Sequence, residues 1–291
     1  MKISVICSSR RPNLWMELYK QIHSDVVKYE IIFIGPFSPN LSLPKNCKFI
    51  KTIVKPSQCF EIGCRSADGE YLVLFSDDMI SEQTKLLEVY SNFISRQKND
   101  LFLLSQQLVS YGDKIVVPNK EYDNLIFPFA PIFSKNIFNK VGGIDSNFIA
   151  IMHDTDLYLR MMQFGCKVYF SGVNFIEKKR PLLEPTLYGD YSKIDKKYFE
   201  SVWKNSGKFD FQKVRKIKKF NSENIIKISE YPQGKWKYRS FILFNLFQSN
   251  LKNKILKLFR LDFPIFINFY YKNKNNYFVN KFAKLIKYLF Y

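Results

Sequence analysis

Cysteine is sparse in this 291-residue chain, with 5 copies at Cys7, Cys47, Cys59, Cys64 and Cys166. The number is odd and no two stand as C-x-x-C, which leaves a zinc ribbon and a thioredoxin-type site unsupported. Such usage suits a reducing compartment. Long hydrophobic runs are also missing. The best apolar stretches, 240–247 and 263–271, fall well short of the roughly 18 residues of a spanning helix, and Lys and Arg flank both. Met1-Lys2 leads straight into Ile3–Cys7, too short for the apolar region of a secretory leader, so none is expected. There is no internal repeat and no recognised nucleic-acid-binding motif, so no nucleic-acid partner is expected.

What is present is a large apolar fraction. Hydrophobic residues make up 46%, aromatics 17% (29 Phe, 18 Tyr) and charged residues 24%. A chain of this size and composition buries a sizeable core, which excludes wholesale disorder, a collagen-like repeat and a small disulfide scaffold. The formal net charge is +19, unevenly spread. Residues 1–203 hold 25 Lys and Arg against 22 Asp and Glu, whereas residues 204–291 hold 20 against 4. A near-neutral body therefore precedes a strongly basic region, which calls for an anionic partner: a phospholipid surface, a nucleic acid or an anionic glycan.

In the first half, short apolar runs alternate with amphipathic ones. Lys2–Cys7, Tyr29–Ile34, Cys47–Val54, Tyr71–Phe75 and Leu101–Leu104 read as strands. Asn13–Val27 and Ser57–Ala67 read as helices, as does Ser81–Arg96, with Ser81 as its cap and Leu86, Leu87, Tyr90, Phe93 and Ile94 on one face. This alternation predicts βαβ units, hence an α/β fold with a mostly parallel sheet flanked by helices. Ligands in such sheets bind beyond the carboxyl ends of the strands. That rule singles out Ser8-Ser9-Arg10-Arg11 and Ser76-Asp77-Asp78. Further on, Phe127–Pro131 reads as a loop, Ser134–Val141 as a short helix closed by Gly142-Gly143, Thr155–Phe164 as a helix and Lys167–Ser171 as a strand. The pattern fades from about Leu182.

Asp77-Asp78 at a strand end are two carboxylates with little room to separate. A divalent cation relieves their repulsion, and Mg²⁺ commonly takes one or two carboxylates plus substrate phosphates; the same pair also reads as a solvated turn capping the next helix. Asp154 or Thr155 reads as the N-cap of the helix after His153, and Asp154 equally as a general base. His153 reads as structural or as a metal ligand. Arg10-Arg11 at the mouth of the first strand suit phosphates, and Arg160 is placed to pair with Asp156 at i,i+4.

Four segments occur in order: Ile3–Arg11; Ala67-Asp68-Gly69-Glu70-Tyr71 leading to Ser76-Asp77-Asp78; Val141-Gly142-Gly143-Ile144-Asp145; and His153-Asp154-Thr155-Asp156-Leu157-Tyr158-Leu159-Arg160. Together they resemble glycosyltransferases of the GT-A fold, closest to family 2, over about residues 1–180. That family carries A-x-G-E-Y before an acidic pair, then V-G-G-F-D and E-D-x-D-L-x-x-R. The resemblance implies a Rossmann-like nucleotide-sugar domain and an inverting, metal-dependent sugar transfer. Ser8, Ser9, Arg11, Asp77 and Asp78 would bind the donor, with Asp78 holding Mn²⁺ or Mg²⁺ and Asp77 as a further candidate ligand. Asp154 would be the base, and Gly142, Gly143, His153 and Asp156 would lie near sugar and acceptor. Three positions depart from the pattern: the second strand ends Ile34-Gly35-Pro36 without an acid, Phe60-Glu61 stand where an Arg-Asn pair is usual, and His153 replaces the glutamate. A catalytically degenerate GT-A scaffold is therefore an alternative. A nucleotidyltransferase ranks lower, because Ser8–Arg11 has no glycine.

The expected organisation is a catalytic domain over 1–203 and a basic, aromatic-rich helical extension over 204–291. In the latter, Phe282, Leu285, Ile286 and Leu289 recur at helical spacing with Lys281, Lys284 and Lys287 between them. Residues 240–291 would touch an anionic membrane surface, each cation contributing roughly 1 kcal/mol. The expected setting is cytoplasmic, peripheral on the inner face of the cell membrane, with a growing surface glycan or lipid-linked oligosaccharide as acceptor.

Overall fold

Two strands that read as near-continuous apolar runs open the architecture. In the computed structural model β1 (Ile3–Ser8) and β2 (Tyr29–Gly35) are buried along almost their whole length, as strands covered on both faces must be. Residues 1–39, 42–81, 85–109, 115–117, 127–177, 188–212 and 215–220 are described; the region 240–291 read above as membrane-facing lies outside the described residues. Between β1 and β2, a 3₁₀ turn at Pro12–Leu14 leads into α1 (Trp15–Ile22), which buries Trp15, Leu18 and Ile22 at spacings of three and four. There follow β3 (Cys47–Lys51), α2 (Pro56–Ser66), β4 (Tyr71–Ser76), β5 (Met79–Ser81), α3 (Leu86–Ile94), β6 (Phe102–Val109), β7 (Ile115–Val117), β8 (Phe129–Ser134), α4 (Lys135–Lys140), α5 (His153–Gln163), β9 (Lys167–Glu177), α6 (Tyr188–Trp203), β10 (Lys204–Asn205) and β11 (Lys208–Phe209).

The fold is α/β. Among the described residues nine strands form one sheet in the order β3-β2-β1-β4-β8-β6-β9-β5, with β7 on β6, and β10-β11 make a separate hairpin. The run β3-β2-β1-β4 is parallel, as the alternating pattern predicts. Beyond β4 the sheet is mixed: β8 is antiparallel to β4 and β6, while β9 runs parallel to β6 and antiparallel to β5. The core sits on β1, β2 and β4 under α1 and α3, with Trp15 stacked on Phe33 at 4.4 Å and 7°. A second cluster of Phe127, Phe148, Leu159, Phe199 and Trp203 underlies α6, and Phe209 and Phe211 pack on it.

Local expectations fail where tertiary pairing wins. Phe127–Pro131 is not all loop: β8 begins at Phe129 and occupies an interior position. Proline lacks a ladder donor; the strand accommodates it by a register shift opposite Leu104–Gln106 and a positive φ of 40° at Ala130, a bulge in effect. Ser81 does not cap a helix. It ends β5, paired with Phe175 of β9, and α3 starts five residues later behind Lys85. Where the pattern fades after Leu182, the chain forms α6, whose buried face carries Asp195, Phe199 and Trp203.

Residues 204–212 and 215–220 pack on the same unit as the body. Arg215 inserts between Asp145 and Asp156 and ion-pairs with both. Asp156 also accepts from Arg160 Nε at 3.0 Å and Trp203 Nε1 at 3.0 Å, and Asp145 from the Tyr198 hydroxyl at 2.9 Å. Burial pulls the Arg215 guanidinium below its ordinary range, and Asp145 acts to restore it. Among the described residues, removing this one cation would leave the buried Asp145 without its ion-pair partner and Asp156 with the Arg160 ion pair alone. Arg215→Ala is therefore expected to cost about 3–5 kcal/mol, read as a shift in urea midpoint, while Lys216→Ala at the exposed neighbour stays within about 0.5 kcal/mol.

Candidate active site

Parallel pairing of β1 with β4 sets Ser8 opposite Ser76, so the loops after both strands leave the sheet at one edge. There Asp77 and Asp78 are buried, at 5% and 2% exposure. Arg11 ion-pairs with Asp77 Oδ1 and lies 3.1 Å from Asp78 Oδ2. The Arg11 backbone N–H donates to Asp77 Oδ2 at 3.2 Å, the Ser9 hydroxyl donates to the same oxygen, and the Ser76 hydroxyl donates to Asp78. Trp15 Nε1 in turn donates to Ser9 Oγ. The two adjacent negative charges are thus held by one guanidinium and a set of hydroxyl and amide donors. Beneath them the Cys7 thiol is pushed well up, by burial first and then by Asp77 and Asp78, so no thiolate is available there for chemistry.

A hard divalent cation fits this donor set in part. Asp77 is engaged by Ser9 and Arg11 and Asp78 by Ser76 and Arg11, so an ion held by either would compete with Arg11. Among the described residues no cluster of three His, Cys, Asp or Glu side chains is present. The remaining ligands would have to be phosphate oxygens and water, a common arrangement for Mg²⁺.

The departures at the neighbouring positions have physical causes. A Cβ at Gly35 would lie 1.8 Å from the Ser9 carbonyl oxygen, so the loop carrying Ser9 leaves no room for a side chain where an acid is usual. Glu61 supports a turn: its Oε2 accepts from Ile144 N at 2.9 Å and its Oε1 from Arg65 Nε at 2.8 Å. Burial raises the Glu61 carboxyl, and Arg65 opposes the rise. Gly142 and Gly143 both have positive φ, 89° and 77°. A Cβ on Gly143 would meet Glu61 and Arg65 at 2.7 Å, and one on Gly142 would meet Ile217 at 2.9 Å. Arg160 closes the turn from α5, donating to Val141 O and Gly143 O at 2.7 Å each. The two glycines, Arg160 and Asp156 thus form a buried brace, and the i,i+4 pairing of Arg160 with Asp156 is present at 3.0 Å.

The start of α5 carries the second group of candidates. The helix begins at His153 behind Met152, whose φ of 61° is left-handed and whose side chain makes no cap. Asp154 is therefore one residue inside the helix rather than its cap, and it accepts only the adjacent Thr155 N–H at 2.9 Å among the hydrogen bonds described. His153 is 4% exposed and stacks on Phe60 at 5.2 Å, and neither ring nitrogen has a hydrogen-bond partner. Burial lowers its pKa, with Asp154 and Asp195 opposing; the ring is neutral at pH 7. Helix α2 links the two groups. Gly63 of α2 sits against Ile6 of β1 and Ile34 of β2, and Phe60 on the same helix carries His153. The strand that ends at Ser8 and the helix that starts at His153 therefore both pack on α2. Asp156 belongs to neither group, since its carboxylate faces Arg160, Trp203 and Arg215. Sequence reasoning left out Phe60 as a platform, and Asp195 and Arg215 as supports; no local signal marks them.

No protein-family model and no curated protein matches the chain. Solved structures similar to it include Staphylococcus aureus TarS 1–349 (14% identity, TM-score 0.48, covering 61% of this chain and 60% of that one). The same protein in complex with UDP gives 14% identity and a TM-score of 0.49 over 62% and 61%. Its complex with UDP-GlcNAc gives 15% and 0.48 over 62% and 59%. The chain thus spans about three fifths of the length of those structures. Among the described residues no helix is long and apolar enough to cross a membrane.

The neutral, buried His153 has a measurable consequence. Below its ordinary pKa of 6.5 the unfolded chain binds a proton that the folded site refuses, so acidification favours unfolding. The stability of the wild type should fall more steeply between pH 7 and pH 5 than that of His153→Gln. Urea midpoints at the two pH values check this, and equal slopes would mean that His153 titrates alike in both states.

Proposed function

We propose that the chain is an inverting glycosyltransferase that takes a sugar from a nucleoside diphosphate sugar. The observations supporting this reading are the Arg11-bound acidic pair beyond the carboxyl ends of β1 and β4 and the carboxylate of Asp154 beside the neutral His153 at the start of α5. Arg11 and the Ser8-Ser9 loop would face the donor diphosphate beside Asp77 and Asp78. Asp154 would take the proton from an acceptor hydroxyl. That oxygen would bond to the anomeric carbon as the carbon–oxygen bond to the diphosphate breaks, with inversion, and the nucleoside diphosphate would leave with the bonding electrons. Mn²⁺ or Mg²⁺ held by Asp78 would supply charge stabilisation for the departing diphosphate. The Arg11 guanidinium already offsets one of the pair's two charges and would share that load. Buried ring nitrogens without partners are costly, and sugar hydroxyls would satisfy those of His153.

The acceptor in this reading is a growing surface glycan, such as capsule, lipopolysaccharide or a lipid-linked oligosaccharide. The protein would be peripheral on the cytoplasmic face of the membrane, held by 240–291. The support is the charge distribution, with 20 Lys and Arg against 4 Asp and Glu after residue 203. A second reading, a GT-A scaffold without activity, draws on Gly35, which offers no side chain to a nucleotide base.

Calorimetry with UDP, GDP, TDP and ADP, with and without Mn²⁺, separates the two. Metal-dependent binding of one nucleotide, lost in Asp78→Ala, supports the transferase; binding of none supports the scaffold. With the donor so identified, Asp154→Asn should keep donor affinity while the rate of transfer falls by about 10²–10⁴-fold. Near-normal turnover would return Asp154 to a structural role. Deleting 240–291 should release the protein from anionic liposomes at low salt, and undiminished binding would refute the anchor.

A further inference from the structure

One buried carboxylate far along the chain acts on the loop that delivers Asp154. Asp195, on α6, is 0% exposed. Its Oδ1 accepts the Ile149 N–H at 2.9 Å, and its Oδ2 accepts those of Ala150 and Ile151 at 2.7 and 2.9 Å. Three consecutive amides thus converge on one anion. The next residue is Met152, held at a φ of 61°, and the two after it are His153 and Asp154. A non-glycine residue stays left-handed only where its surroundings hold it there.

The opposite side of the same loop is gripped by α2. The Ser57 hydroxyl donates to Phe148 O at 2.6 Å, and the Ser57 N–H to Ile149 O at 3.1 Å. Lys55 Nζ donates to Ser146 O. Carbonyls are therefore held by α2 and amides by α6, leaving the segment 148–151 little freedom to turn. The groups bound are the last ones before the strained residue that starts α5, which is where support must act to aim a base.

We propose that Asp195 is a positioning residue: its carboxylate clamps the 149–151 amides and so fixes Met152 in its left-handed turn and Asp154 against the acceptor. The proposal rests on the reading of Asp154 as the base. A carboxylate suits this task because it accepts on both oxygens and donates nothing. An asparagine of the same shape would turn an N–H₂ group toward at least one of the three amides.

The test compares the full-length wild type with Asp195→Asn, Ser57→Ala and, as a control on the same helix, the exposed Glu200→Gln. Three quantities are read: donor Kd, kcat for transfer, and amide hydrogen exchange at 149–151. In Asp195→Asn the donor Kd should stay close to wild type, the midpoint of unfolding should fall because buried donors now face each other, kcat should fall on the order of 100-fold, and the three amides should exchange faster. Ser57→Ala, which removes a bond on the other side of the loop, should shift kcat in the same direction by less, and Glu200→Gln should change nothing. If Asp195→Asn fails to fold, an unchanged kcat in Ser57→Ala overturns the proposal. In folded Asp195→Asn, an unchanged kcat, or a loss shared equally by donor binding, overturns it too. A wild type that transfers no sugar would sink the transferase reading and the clamp's role with it, whereas an active wild type with an undiminished Asp195→Asn sinks the clamp alone.

Discussion

A carboxylate withdrawn from water must be matched by a cation or by hydrogen-bond donors, since leaving it bare costs several kcal/mol. Among the described residues, three of the places where this chain buries acidic groups answer that demand differently. Asp77 and Asp78 share Arg11 and two hydroxyls. Asp145 and Asp156 share Arg215, with Arg160, Trp203 and Tyr198 completing the set. Asp195 takes three backbone amides. Each solution ties together segments distant in sequence, so the loops of the site are held by charge where the core beneath them is held by packing.

These three anchors do different work. The Asp145–Asp156–Arg215 set ties α5 to the 215–220 segment and, through Arg160, to the turn at Gly142-Gly143. The Arg11 pair lies at the mouth of β1 and β4, where a diphosphate would be met. Helix α2 carries Gly63 against Ile6 of β1 and Phe60 against His153. A shift of that helix would move both halves of the site together.

Much of this was legible in the primary structure, for reasons that differ by residue. Buried parallel strands betray themselves as apolar runs, so β1, β2 and β4 and their loop residues Ser8–Arg11 and Ser76–Asp78 were readable, as was the i,i+4 pair of Asp156 and Arg160. The bulge at Ala130–Pro131 was not, because proline reads as a breaker unless the partner strand is known. Nor was β5, whose pairing with β9 overrides the capping signal of Ser81. The counting of charges divides the chain at residue 203, yet Arg215, one cation among many in a basic region, is the counter-charge of two buried acids. Asp195 and Phe60 belong to the same class: their meaning comes from neighbours that lie 44 to 93 positions away in sequence.

The sheet order also dictates when the molecule can close. β1 meets β2 and then β4 as the chain lengthens, but β6 must wait for β9, and β5 at Met79–Ser81 finds its partner only at Phe175–Glu177. Pairings of such sequence separation pay loop-closure entropy before they gain contacts, so they form late. During synthesis the amino-terminal parallel layer can assemble early. The edge that carries Asp77 and Asp78 stays open until the carboxyl half has emerged, and in that interval an unpaired β5 is the part of the nascent protein most in need of shielding from other strands.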